Sequence, residues 1–170
     1  MKHLVTGGAG FIGSTLVKKL AEQGHEVVVV DDHSSSGGEL LNENSLKLSV
    51  KTVSGNISYI KTQTGLHEKL QDAFEGVDTV FHLAAKARVQ PSIKEPVYFN
   101  ATNVEGTLNM LEYARKAEVR RFVFTSSSSI YGNTDVLPTP ETLEPSPLSP
   151  YGLQKLIGEQ YCQLYSRIHD

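Results

Sequence analysis

The chain has 170 residues, of which 39% are hydrophobic and 21% charged, with a formal charge of −3 at pH 7. That length and composition describe one domain, 1–170, with enough apolar material for a packed core, and exclude a chain disordered by composition. The acidic balance and the absence of a long basic run argue against electrostatic binding of nucleic acid, and the lone Cys162 excludes a disulfide within these residues and a cysteine-rich metal site.

Short apolar runs at 2–6 (KHLVT) and 26–30 (EVVVV) predict buried strands, as do 50–54 (VKTVS), 78–83 (DTVFHL) and 121–125 (RFVFT). Helix-period segments lie between them. Residues 11–23 carry Ile12, Leu16 and Leu20, and residues 66–75 carry Leu66, Leu70, Ala73 and Phe74. Residues 98–117 place Val104, Leu108, Leu111 and Ala114 on one stripe. Strands alternating with helices predict an α/β fold, a three-layer, doubly wound parallel sheet of the Rossmann kind.

Residues 33–49 are polar and glycine-rich and predict a loop, with one short helix near 38–47. Residues 132–150 hold five of the seven prolines and predict a long extended loop. The longest apolar run, Val27 to Val30, is far too short to span a bilayer. No signal peptide is expected before a strand that opens at Lys2, and a reducing cytoplasm is the expected setting.

TGGAGFIGS at 6–14 follows the first strand and opens the first helix, with glycines at 7, 10 and 13. Such spacing serves a tight turn, close approach to a pyrophosphate and close helix–strand contact, or it is a plain tight turn. The helix N-terminus offers unpaired N–H groups to phosphates. Asp31 ends the second strand at the distance expected of a ribose-binding acid. Its charge would repel a 2′-phosphate, which favours NAD over NADP. Asp32 either shares this role or is a solvated turn residue.

Tyr151 and Lys155 lie four residues apart in SPYGLQKLIGE, one helical turn. A free phenol ionises near pH 10, and a neighbouring cation favours the phenolate. The pair therefore suggests a base for a sugar or alcohol hydroxyl. By itself the spacing is equally that of two surface side chains.

TGGAGFIG, Asp31, HLAA at 82–85, TSSSSIYG at 125–132 and YGLQK at 151–155 together resemble the extended short-chain dehydrogenase/reductases. Within them the chain is most similar to UDP-glucose 4-epimerases and related nucleotide-sugar 4-epimerases. The resemblance implies that Gly7, Gly10, Phe11, Ile12 and Gly13 line the NAD pyrophosphate and that Asp31 holds the adenosine ribose. It places Leu83, Ala84 and Ala85 beneath the cofactor, and Asn56 and Ile57 where the family often has Asp-Ile near the adenine. Tyr151 would be the base, and Lys155 would bond the nicotinamide ribose. Ser127, four positions before Tyr131, would be the active hydroxyl. Asn103 would sit near the active site, or else be a polar residue on an exposed helix face.

The same resemblance separates subfamilies. Nucleotide-sugar dehydratases carry an Asp-Glu pair where this chain has Ser128 and Ser129. Elimination is thereby disfavoured, and transient oxidation at C4 of a UDP-hexose, an epimerase reaction, is favoured. A nucleotide-sugar dehydratase or ketoreductase of the same superfamily, and a non-catalytic NAD-binding module or truncated fragment, are the alternatives. A lysine often found after the HLAA-like motif falls at Ala87, flanked by Lys86 and Arg88. Family members are considerably longer, so the chain is expected to stop before a C-terminal nucleotide-sugar region. A homodimer through helices 98–117 and 151–169 is also implied.

Overall fold

The computed structural model describes residues 1–34, 50–58 and 65–169. The short helix expected near 38–47 lies outside the described residues. Five strands form one parallel sheet: β1 (Lys2–Thr6), β2 (Glu26–Asp31), β3 (Val50–Ser54), β4 (Thr79–His82) and β5 (Arg121–Phe124). Their order is β3-β2-β1-β4-β5. The chain reverses direction across the sheet between β1 and β4, and open α/β sheets place their ligand crevice beyond the strand ends at such a point.

Register follows from the apolar runs. Leu4 pairs with Val28 and Val80, and Val5 with Val29 and Phe81. Alternate residues feed two cores. Leu4, Val28, Val30 and Val80 pack with Leu70, Phe74 and Met110, whereas Val5, Val27 and Val29 pack with Val17, Leu20 and Ala21. The first core is covered by α2 (Leu66–Phe74) and α5 (Thr107–Lys116), the second by α1 (Phe11–Glu22). The result is the expected three-layer Rossmann architecture. α2 buries the four apolar residues its periodicity picks out.

Two helices depart from their expected phase. In α1 the inward face is Gly13, Ser14, Val17, Leu20 and Ala21, while Ile12 is 63% exposed. Gly13 is pressed so closely against the preceding loop that it must face inward, which turns Ile12 out. The expected helix 98–117 is three pieces: α4 (Pro96–Asn100), a π-helical stretch (Ala101–Gly106) and α5. The wider π turn shifts the phase. Met110, Leu111 and Ala114 are buried, whereas Val104 and Leu108 are only half-buried. Gly106, the last residue of the π stretch, packs so closely on Ile57 that a Cβ there would lie 2.8 Å from Ile57 Cγ1. A further short helix, α3 (Val89–Lys94), had no counterpart in the sequence pattern. Residues 132–149 carry no helix or strand, and α6 (Pro150–Ile168) follows them.

Candidate functional site

The glycine loop joins β1 to α1. Gly7 has φ 68°, a left-handed conformation, and a Cβ there would sit 2.7 Å from Ala84 N. A Cβ on Gly13 would sit 2.1 Å from Gly7 O. These two glycines are required by the chain's own packing. Gly10 differs: only Gly7 O, at 3.2 Å, would meet its Cβ. Packing therefore gives a weak reason for glycine at 10, and the approach of a ligand gives a better one. Gly10 is also the N-cap of α1, with no side-chain cap and no acid in the first turn. The helix dipole and its leading N–H groups stay available to an anion.

A cavity of about 320 Å³ opens here. All twelve residues expected around the dinucleotide, apart from Lys155, line it: Gly7, Gly10, Phe11, Ile12, Gly13, Asp31, Asp32, Asn56, Ile57, Leu83, Ala84 and Ala85. Val30, Ser34, Gly55, Lys86, Thr102 and Thr125 line it as well and were missed. Of the two cations flanking Ala87, Lys86 faces the cavity. Its ammonium donates to Ser34 Oγ at 2.6 Å.

Asp31 is buried, with Oδ2 accepting from Ala9 N at 2.9 Å and Oδ1 from His33 N at 2.8 Å. The carboxylate thus ties the glycine loop to the end of β2 and keeps further lone pairs. Asp32 accepts from Ser34 N and from Asn56 Nδ2. Asn56 Oδ1 accepts from Ser58 N at 2.9 Å. The Asn56 amide therefore holds Asp32 in place, a role its position in the motif did not suggest.

Ser127, Tyr151, Lys155 and Asn103 stand outside the cavity lining, and hydrogen bonds tie Lys155 and Asn103 to it. Lys155 is 4% exposed, and its Nζ donates to the carbonyl of Thr125, a lining residue, at 2.8 Å. The ammonium also lies 4.8 Å from the centre of the Phe124 ring. Burial lowers its pKa to about 8. Ser127 caps the short 3₁₀ turn Ser128–Tyr131, accepting from Ser129 N at 3.1 Å, which leaves its hydroxyl proton to donate. α6 packs hard on that turn, since a Cβ on Gly152 would be 2.4 Å from Ser129 O. The turn that Ser127 caps is thereby held against the first turn of α6, which carries half-buried Tyr151.

Asn103 is buried, not on an exposed helix face. Its Oδ1 accepts from Lys86 N at 2.8 Å, and its Nδ2 donates to Lys86 O at 3.0 Å and to Gln154 Oε1 at 2.8 Å. Its side chain is a structural bracket between the cavity wall and α6. Beside it runs a second buried chain. Thr107 Oγ1 donates to Asn103 O, so it must accept from His82 Nε2 at 3.0 Å. His82 Nδ1 then accepts from Thr6 Oγ1 at 2.7 Å, and Thr6 in turn accepts from Ala84 N. The imidazole is neutral: burial first, and the Lys155 charge second, push His82 down to about 3.

Parallel sheet, switch-point crevice and glycine cradle define a Rossmann-type domain. A family model, the NAD dependent epimerase/dehydratase family, matches residues 3–170. The chain belongs to that family. It is 42% identical over 173 residues to a UDP-glucose 4-epimerase of Mycolicibacterium smegmatis, covering 100% of this chain and 53% of the relative. A crystal structure of the Thermotoga maritima UDP-glucose 4-epimerase with UDP-glucose aligns with a TM-score of 0.87 at 41% identity, over 99% of this chain and 52% of that one. The Thermus thermophilus UDP-glucose 4-epimerase in complex with NAD aligns with a TM-score of 0.86 at 34% identity, over 99% and 52%. The chain spans about half the length of these relatives. No group of His, Cys, Asp or Glu that could hold a metal is found among the described residues, and no described helix is long and apolar enough to cross a membrane.

Proposed function

We propose that this chain is the dinucleotide half of an NAD-dependent nucleotide-sugar 4-epimerase acting on a UDP-hexose. The observation that carries the reading is the bond from Lys155 Nζ to Thr125 O, which joins Lys155 to the glycine-lined cavity. The residues present fit NAD: a glycine cradle open at Gly10, an uncapped helix start, and a carboxylate at Asp31.

NAD, when bound, supplies reversible hydride acceptance from the sugar C4. The chain's own residues do the rest. The α1 N–H groups hold the pyrophosphate, and Asp31 orients the adenosine ribose through its remaining lone pairs. Lys155, bonded to the lining residue Thr125, would take the nicotinamide ribose hydroxyls. Ser127 donates its free proton to the sugar O4 region. Tyr151 would take the O4 proton as C4 is oxidised and return it when C4 is reduced, leaving the chain with no net change in protonation. Ser128 and Ser129 supply no carboxyl acid, which disfavours loss of water.

A chain of half the family length could hold NAD without holding the sugar. Calorimetric titration with NAD and then with UDP-glucose separates the cases. Heat from both supports the epimerase, and Tyr151→Phe then abolishes interconversion of UDP-glucose and UDP-galactose. Heat from NAD alone assigns the chain as a binding module. Absence of heat from NAD overturns the reading. The homodimer through α4–α5 and α6 is part of the same proposal: Val97, Leu153 and Leu164 are exposed there. Sedimentation at increasing concentration tests it, and a monomer throughout refutes it.

A further inference from the structure

Gln154 has no part in the chemistry just described, yet it is 4% exposed. Its Oε1 accepts from Asn103 Nδ2 at 2.8 Å, and its Nε2 donates to Pro96 O at 3.3 Å. Asn103 grips both the N–H and the carbonyl of Lys86, a cavity-lining residue. A continuous path of hydrogen bonds thus leads from the cavity wall to the residue immediately before Lys155.

Filling space does not require an amide here. A buried amide stabilises only when its hydrogen bonds are made, and methionine would occupy similar volume without that demand. The two bonds of Gln154 do something packing cannot. They fix the rotation and height of one turn of α6 against both α4 and the π-helical stretch. Lys155 reaches Thr125 from that same turn, at the end of a long flexible side chain. Rotation of the turn would move the ammonium away from the cavity.

We propose that Gln154 is a positioning residue, which holds the Lys155 turn of α6 in register with the cavity wall at Lys86. This rests on the reading of Lys155 as a ligand of the nicotinamide ribose. It predicts that Gln154 matters for the nicotinamide half of the dinucleotide and not for the adenosine half.

A double-mutant cycle on the 170-residue chain tests it, with calorimetric affinities for NAD and for ADP, which lacks the nicotinamide ribose. Gln154→Met should weaken NAD about threefold to tenfold, the range of one lost hydrogen bond, and leave ADP within about twofold. In a Lys155→Met background the same change should have no further effect on NAD, because two residues acting through one contact are not additive. Gln154→Glu keeps an acceptor for Asn103 Nδ2 but loses the donor to Pro96 O, so it should weaken NAD less than Gln154→Met does and leave ADP within about twofold. Equal weakening of NAD and ADP, no weakening at all, or full additivity with Lys155→Met would overturn the proposal. Should Gln154→Met not fold, equal weakening of NAD and ADP, or no weakening of either, in a folded Gln154→Glu chain overturns it. If Lys155→Met leaves NAD affinity unchanged, the Lys155 reading fails and takes this one with it. If the parent binds no NAD, both fall.

Discussion

The backbone N–H of Tyr151 donates to the hydroxyl of Ser92 at 3.1 Å, across 59 residues of sequence. Ser92 has no exposed surface, and its hydroxyl donates in turn to Val89 O at 2.6 Å. Helix starts normally leave N–H groups without partners. In α6 each leading position is accounted for. Pro150 has no N–H, Tyr151 uses Ser92, Gly152 donates to Ser149 Oγ at 3.1 Å, and Leu153 donates to Ser149 O at 3.0 Å. The candidate base therefore sits in a first turn that is anchored from outside the helix.

Ser92→Ala should destabilise the chain by about 0.5–1.5 kcal/mol, because the Tyr151 N–H loses its acceptor in a part-buried site. Urea unfolding of variant and parent measures this. Amide exchange at Tyr151 should accelerate in the variant. An unchanged unfolding midpoint would show that the anchor carries no stability.

Lys155→Met should act in the opposite direction on stability. Burial holds the ammonium down to about 8, whereas an unfolded lysine titrates near 10.4. Between those values the unfolded chain binds more protons, so parent stability rises with pH through that window. Below it the penalty for the buried charge is fully present. Methionine keeps the apolar stem without the charge. The variant should gain on the order of 1–3 kcal/mol at pH 7, less what is lost with the Thr125 bond, and show no rise toward pH 10. It should also bind NAD more weakly. A variant less stable than the parent at pH 7 would refute the sign.

The strands and the dinucleotide cradle were legible because local pattern determines them. Val27 to Val30 can only be a strand buried on both faces, and three glycines at a strand–helix junction have few other uses. The phase of the long helix was not legible. Its π turn sets Gly106 against Ile57, a contact between residues far apart in sequence. α3 has only six residues with Pro91 inside it, too little for a period. The polar bracket was hidden for another reason. Thr6, His82, Thr107 and Gln154 are residue types that pattern reading turns toward solvent. Thr6 and His82 meet because β1 and β4 end in register, and Thr107 and Gln154 join them through Asn103. Phe11 and Ile12 show the converse: apolar residues assigned to contact a cofactor are exposed at the cavity rim.

His82→Gln should flatten the acid side of the stability profile. His82 is held near 3 when folded and returns to about 6.5 when unfolded. The unfolded chain therefore takes up the proton first. Its contribution is complete above pH 6.5 and falls away as pH drops, by about 2 kcal/mol at pH 5. Glutamine offers an acceptor for Thr6 and a donor for Thr107 without titrating. Burial, followed by the charge on His25, also lowers the pKa of His3, so a smaller slope should persist. Asp78 and Glu112 are held near 2 by Arg120 and Arg115 and leave the window from pH 6.5 to 5 to the histidines. Unfolding curves at several pH values make the comparison. A slope as steep in the variant as in the parent would assign the effect elsewhere.

Gly10→Ala and Gly13→Ala should separate ligand binding from folding. An alanine at 13 would put its methyl 2.1 Å from Gly7 O and 2.7 Å from Gly8 Cα, both backbone atoms that cannot swing aside. The loop or the start of α1 must move, and overpacking of this kind costs about 1–3 kcal/mol or more. An alanine at 10 meets only Gly7 O, at 3.2 Å, in backbone geometry open to any residue. Its methyl projects where the pyrophosphate would approach α1. Gly10→Ala should therefore melt close to the parent while losing at least about tenfold in NAD affinity, roughly 1.4 kcal/mol. Gly13→Ala should lose stability first and NAD affinity as a consequence. Thermal melts and NAD titrations on the same samples decide it. A Gly10→Ala chain that binds NAD as the parent does would remove the cradle from the dinucleotide site.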